Sequence, residues 1–238
     1  MYGISTLCLH DQPLASALEQ LAVLTGHIEV MDEGQHFLET AEPLMSYSTR
    51  FSIHAPSRGT NIASQLEPIR KASVEVMAQC FSVAGDVNAA VVVHPGYFAW
   101  PNERDHALRQ LARSMGELNR ISDELSVRYY IENMGNWDYF FLKRPEELPI
   151  IGDAGFALDV GHAHLNHCLA EFLTCPAQHY HIHDNDGTAD AHVAVGRGTI
   201  DFIPVVKTLR SGGGTAVIEV GTLEGVVESI GALEKISA

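Results

Sequence analysis

Eight short runs of β-branched and apolar residues recur along the chain, each followed by a longer helical or loop segment. The runs cover residues 3–7, 28–31, 50–54, 89–94, 128–132, 156–159, 179–183 and 216–219. Short continuous apolar runs of this kind predict buried parallel strands rather than strands alternating between core and solvent. Between them, Leu14, Leu18, Leu21 and Ala22 form an apolar stripe closed by Gly26, as an amphipathic helix with a C-terminal stop requires. Helices are also predicted over 62–83, 104–125, 145–148, 165–173, 202–209 and 223–236, while 33–46 has no clear assignment. Eight strand–helix units match a closed (β/α)8 barrel, with an open doubly wound sheet as the alternative. No linker interrupts the pattern, so residues 1–238 are expected to form one domain. The only glycine run, Gly212–Gly214, precedes the last strand and reads as a turn rather than a phosphate cradle.

Composition narrows the function classes. With 15 Lys and Arg against 30 Asp and Glu, the formal charge is −15. That disfavours a protein that holds nucleic acid mainly by neutralising phosphates. The four cysteines lack any CxxC spacing, which fits a reducing compartment. A strand pattern beginning at Tyr2 leaves no room for a signal peptide, and no apolar run approaches the ~20 residues of a membrane span. The expectation is a cytoplasmic protein with no membrane partner.

In a barrel of this type, chemistry sits at the C-terminal ends of the strands. Six consecutive predicted strands end on a potential metal ligand: His54, His94, Glu132, Asp159, His181 and Glu219. Three more, His162, Asp190 and His192, fall in the adjoining loops. Imidazoles mixed with carboxylates suit Zn, Mn or Fe better than Ca or Mg. Nine candidates exceed the roughly three protein ligands of one catalytic zinc. They imply two or three divalent ions, zinc foremost, with Mn, Fe or Mg as alternatives. Singly, each has an ordinary reading as a structural histidine or a helix cap. His183 shares the strand parity of His181 and is either a ligand or a neighbour that orients one. His164, His167 and His179 are expected at the surface or behind the ligands, and His10, His27, His36 and His106 in solvent.

The ordered motifs His54-Ala-Pro, His94-Pro-Gly, Glu132-Asn-Met-Gly, Asp159-Val-Gly-His162, His181-Ile-His-Asp184, Asp190-Ala-His192 with Gly196-Arg-Gly198, and Ile218-Glu219 resemble the xylose isomerase-like TIM barrel superfamily. Within it they resemble the endonuclease IV (AP endonuclease family 2) pattern, from Ile4 to about Ile230. The resemblance implies that Glu132, Asp159, His181 and Glu219 hold a metal common to the whole superfamily. It further implies that His54 and His94 hold a second metal bridged by Glu132, and that His162, Asp190 and His192 hold a third. Two features depart from the family endonucleases. Ser57, Arg58 and Gly59 stand where a bulky wedge residue follows the first histidine, and Gly196-Arg197-Gly198 replaces Gly-Glu-Gly.

These readings lead to hydrolysis of a phosphoester or phosphodiester at clustered cations, with Glu132 and Glu219 as catalytic residues. Arg58 and Arg197 are the candidates for gripping a phosphate with the guanidinium fork. A small phosphate- or sugar-containing substrate is expected rather than duplex DNA. The alternative is a sugar or sugar-phosphate isomerase or epimerase. It would use one ion, with Glu132 and Glu219 exchanging protons with the substrate carbon and Glu29 contacting a hydroxyl. A metal-dependent binding or sensor barrel is the non-enzymatic reading.

Overall fold

In the computed structural model, which describes residues 2–237, the eight runs become strands β1 (Gly3–Ser5), β2 (His27–Met31), β3 (Arg50–His54), β4 (Ala90–Val93), β5 (Tyr129–Glu132), β6 (Gly155–Asp159), β7 (His179–Ile182) and β8 (Thr215–Ile218). All pair in parallel in sequence order, and β1 pairs with both β2 and β8, through Ile4↔Ile28 and Ile4↔Ile218. That last pairing closes the sheet and excludes the open alternative. The chain forms a single (β/α)8 barrel.

The helices are α1 (Leu14–Leu21), α2 (Glu42–Met45), α3 (Glu67–Asp86), α4 (Arg104–Leu125), α5 (Val160–Leu165), α6 (Leu169–Phe172), α7 (Phe202–Gly212) and α8 (Leu223–Ser237). None of the described helices is long and apolar enough to cross a membrane. Several boundaries differ from expectation for local reasons. β1 stops at Ser5, whose hydroxyl caps a 3₁₀ turn over Thr6–Leu9. α3 begins at Glu67 rather than at 62, because Pro68 has no N–H and belongs in a first turn. The helix expected over 165–173 is two pieces, broken where His167 takes φ +54°. Residues 145–148 belong to a 3₁₀ segment, Pro145–Ile151, with Pro149 inside it. The triple-glycine stretch is a turn, with Gly213 at φ +70° ending α7. There Gly214 passes so close to the Tyr180 ring that a Cβ would lie 2.6 Å from it.

The strands are buried on both faces, as expected of parallel strands, and what changes from residue to residue is which interior each side chain enters. Ile28, Val30, Phe51, Ile53, Ile131, Leu158, Tyr180, Ile182 and Ile218 point outward and pack beneath the helices in the main core. The residues between them, among them Glu29, Ser52, Glu132 and His181, turn into the barrel lumen, where they meet one another. Both faces are buried, so burial alone hides the period of two; what alternates is polarity.

Outside the barrel, Arg70 is the largest fully buried side chain and joins α3 to α4. Its guanidinium donates to Ser114 Oγ at 3.0 Å and pairs with Glu67 at 3.0 Å and Glu117 at 2.9 Å. Replacing Arg70 with Leu is expected to cost about 2 kcal/mol, less than a fully buried pair because both glutamates still reach water. Urea unfolding measures it.

Candidate metal centre

The nine side chains expected at the strand ends and loops converge at the C-terminal mouth in overlapping groups. His54, His94 and Glu132 form one; Glu132, Asp159, His181 and Glu219 form a second; His162, His183, Asp190 and His192 form a third. Within each group the ligand atoms lie within 4.8 Å of one another.

Glu132 stands between the first two groups. Its Oε2 lies 3.3 Å from His54 Nε2 and 3.1 Å from His94 Nε2. Its Oε1 lies 2.9 Å from His181 Nδ1. Glu219 Oε2 approaches the same His181 nitrogen at 3.5 Å. In the third group, Asp190 Oδ2 lies 3.3 Å from His162 Nε2 and 3.1 Å from His192 Nε2.

Backbone carbonyls orient three of these histidines. Nδ1–H donates to Ala55 O in His54 at 3.0 Å, to Asn133 O in His162 at 2.9 Å and to Glu219 O in His192 at 2.8 Å. Each such bond leaves the Nε2 lone pair facing its group, the tautomer a metal ligand needs. His192 reaches its place from a left-handed backbone at φ +42°, a conformation that the surrounding loop must impose. That loop folds back onto the end of β7 through a two-way backbone pairing of Asp184 and Val193.

The donor set fits a cation. Glu219 Oε1 and Asp190 Oδ1 are buried carboxylate oxygens with no hydrogen-bond partner. Orphaned buried acceptors are costly in a protein interior unless something positive meets them. Oxygen and imidazole nitrogen together suit zinc, manganese or iron.

Electrostatics point the same way. Burial opposes ionisation of Glu132, yet the His181, His54 and His94 imidazoles hold its carboxyl well below the usual range. Burial likewise opposes charge on His54, but its hydrogen bond to Glu132 and the nearby carboxylates raise it to about 9. His192 is also raised to about 9, against burial, by Asp190 and Glu219. Protein stripped of metal by chelation therefore carries both imidazoles charged at neutral pH. Their ion pairs stabilise that form fully below about pH 6.5, and the contribution fades as pH climbs through about 9. Metal uptake must displace these protons, so zinc affinity is expected to rise with pH over the same interval. Melting curves of stripped protein from pH 6 to 10, with proton release on zinc addition, test both signs.

The mouth is a cavity of about 1010 Å³ that includes the faces of His54, His94, Glu132, His162, Asp190, His192 and Glu219. Arg58 is the sole Lys or Arg among its lining residues, 3.6 Å from Glu33 and almost fully exposed. Arg197 does not line it; its guanidinium makes two hydrogen bonds to Glu228 on α8, at 2.9 and 2.8 Å. Two half-exposed aromatics, Phe37 and Trp137, belong to the cavity wall. Trp137 stands edge-on to His162 at 5.6 Å.

Other positions depart from expectation. Glu29 is fully buried beneath the centre, 2.7 Å from His181 Nε2, so it is not presented to a substrate hydroxyl. His27 and His36 are buried rather than solvated; His36 bonds Thr6 Oγ1 and Gln12 O, both at 3.0 Å. His183 lies 3.1 and 3.2 Å from the two Asp159 oxygens. Its ring rests on the bare Cα of Gly161, where a Cβ would collide with it. Sequence reasoning named Glu29 but not its place behind His181, and it missed Trp137 and the anchoring role of Asp184. The signal for Glu29 was its lumen parity, shared across neighbouring strands with Ser52 and His54.

A closed parallel barrel with buried His and carboxylate groups gathered at its C-terminal mouth defines a metal-site class of TIM barrel. The chain belongs to the xylose isomerase-like TIM barrel family, whose model matches residues 28–236. An uncharacterized protein of Methanocaldococcus jannaschii is 34% identical over 232 residues, covering 91% of this chain and 90% of its own. A probable endonuclease 4 of Mycobacterium leprae is 26% identical over 197 residues, covering 75% of this chain and 76% of its own. A crystal structure described as a D-tagatose 3-epimerase-like protein superposes with a TM-score of 0.93 at 30% identity, covering 99% of this chain and 96% of that one.

Proposed function

We propose that this chain is a multinuclear metal-dependent hydrolase of small phosphoesters or phosphodiesters. The observation that carries the reading is Glu132, whose two carboxylate oxygens face separate histidine groups. A single-ion site needs only Glu132, Asp159, His181 and Glu219. His54 and His94, with the His162, Asp190 and His192 set, are additional donors that favour two or three ions. Divalent cations held there supply Lewis acidity and neutralise charge developing on phosphoryl oxygens.

The protein's own groups then divide the work. Arg58, only loosely tied to Glu33, is free to reach a non-bridging phosphate oxygen from the rim. Trp137 and Phe37 offer flat apolar surfaces to the rest of the substrate. With one cation on the cavity wall and acidic Asp32 and Glu33 beside it, the mouth suits a small ester better than a long polyanion.

A second reading, sugar or sugar-phosphate epimerisation, is favoured by the resemblance to the epimerase-like structure. It is also favoured by the approach of Glu132 and Glu219, from β5 and β8, to one His181 nitrogen. Elemental analysis of purified protein, followed by zinc- and manganese-loaded assays, separates the two. The substrates are bis-p-nitrophenyl phosphate, an abasic-site oligonucleotide and a sugar and sugar-phosphate panel. Two or three ions per chain with phosphoester cleavage is the expected result. One ion per chain with sugar turnover and no cleavage would overturn the hydrolase reading.

A further inference from the structure

Barrels of this class usually fill their lumen with branched apolar side chains; here the layer beneath the metal centre is polar. Glu29 sits in it, wholly buried. Its Oε1 lies 2.7 Å from His181 Nε2. Its Oε2 accepts a hydrogen bond from Ser52 Oγ at 2.8 Å and lies 2.9 Å from His179 Nε2. Ser52 Oγ is in turn 3.0 Å from His27 Nε2, and His27 lines a separate cavity with Arg50 and Arg210. On its other edge, His181 presents Nδ1 to Glu132, Glu219 and Asp159 at 2.9, 3.5 and 3.9 Å.

His181 is thus turned the opposite way from His54, His162 and His192, which anchor Nδ1–H and present Nε2. Backbone carbonyls orient those three rings. The His181 ring bonds no backbone carbonyl; its two nitrogens face Glu132 and Glu29. The acceptor at its Nε2 edge is the Glu29 carboxylate, at 2.7 Å. Glu29 can only accept, so it holds the ring proton on Nε2 and leaves the Nδ1 lone pair toward the carboxylates.

We infer that Glu29 is a positioning residue of the metal centre. It fixes His181 as an Nδ1 ligand and strengthens it as a donor, while Ser52 holds the Glu29 carboxylate in register. The inference rests on the metal-centre reading above. A hydrogen-bonded carboxylate behind a ligating histidine typically changes metal affinity about 10–100-fold.

The test measures zinc affinity by chelator competition for the wild-type chain, Glu29→Gln and Ser52→Ala, with histidine ¹⁵N spectra of the zinc-loaded wild type. Glu29→Gln keeps the shape and removes the charge. It is expected to weaken one bound zinc about 10–100-fold and to leave the ion at His162, Asp190 and His192 unchanged. Ser52→Ala should weaken the same ion by a smaller factor. The wild-type spectra should show His181 protonated at Nε2 and ligated through Nδ1. Unchanged zinc affinity in Glu29→Gln would mean that Glu29 only packs the lumen, and the inference fails. Should Glu29→Gln not fold, ligation of His181 through Nε2 in the wild type overturns the inference by itself. A wild-type chain that binds no zinc, manganese or iron overturns the metal reading with it, a result distinct from wild-type binding that Glu29→Gln leaves intact.

Discussion

Glu132→Gln is expected to lower turnover by at least about 10³-fold, or about 4 kcal/mol of transition-state stabilisation, and to lower the number of ions bound per chain. The reason is the bridging geometry. One oxygen faces His54 and His94 and the other faces His181. An amide keeps one acceptor and puts an NH₂ where the second stood. Whichever way it turns, one histidine group loses its carboxylate and meets a donor instead. Elemental analysis alongside kcat reads both effects. Full metal content with turnover near that of the wild type would show that Glu132 does not bridge.

Asp184→Ala should be the most damaging change outside the ligand set. Asp184 is fully buried. Its Oδ1 accepts the Asn185 and Ile200 backbone N–H groups at 2.9 and 3.1 Å. Its Oδ2 accepts those of Gly196 and Gly198 at 2.9 and 3.0 Å. Gly198 has no side chain because a Cβ there would strike Asp184 and the Asn185 carbonyl. Alanine strands the buried donors of Asn185 and Ile200 and the part-buried donors of Gly196 and Gly198, at roughly 1–3 kcal/mol for each buried group left unsatisfied. A loss of about 4 kcal/mol or more is expected in urea unfolding. The same loop carries Asp190 and His192, so the third donor group should come apart and zinc content should fall by about one ion. A variant of near-normal stability would show that the loop is held by other contacts.

This anchor also explains a departure noted in the sequence. Gly196-Arg197-Gly198 keeps both glycines because Gly196 takes φ +88° and a Cβ at Gly198 would strike Asp184 and the Asn185 carbonyl. The residue between them is free to vary. Arg197 turns outward to Glu228, away from any phosphate at the mouth.

Much of the architecture was legible before folding. Strand–helix alternation fixes the period of the fold, and a parallel strand must be followed by a crossover long enough to return the chain. The placement of His54, Glu132, Asp159 and His181 at or next to strand ends made their convergence legible too, because a closed barrel brings all its strand ends to one rim. His94 and Glu219, one residue beyond β4 and β8, follow by the same logic. The His167 break and the start of α3 at Glu67 were harder to read, since each depends on local backbone geometry that hydrophobic period does not record.

What the chain's order of residues determined by itself is the strand–helix alternation and the set of polar groups at the strand ends; closure came with the β1–β8 pairing. Tertiary structure alone decided how those groups face one another. It gave Glu132 an oxygen for each of two histidine groups, turned His181 toward Glu29, buried His27 and His36, and led Arg197 away from the cavity. The physical reason is that a residue's lumen parity is local, whereas its partner comes from a strand as many as 152 residues distant, as His181 and Glu29 are. Pairings of that kind exist only once the eighth strand closes on the first.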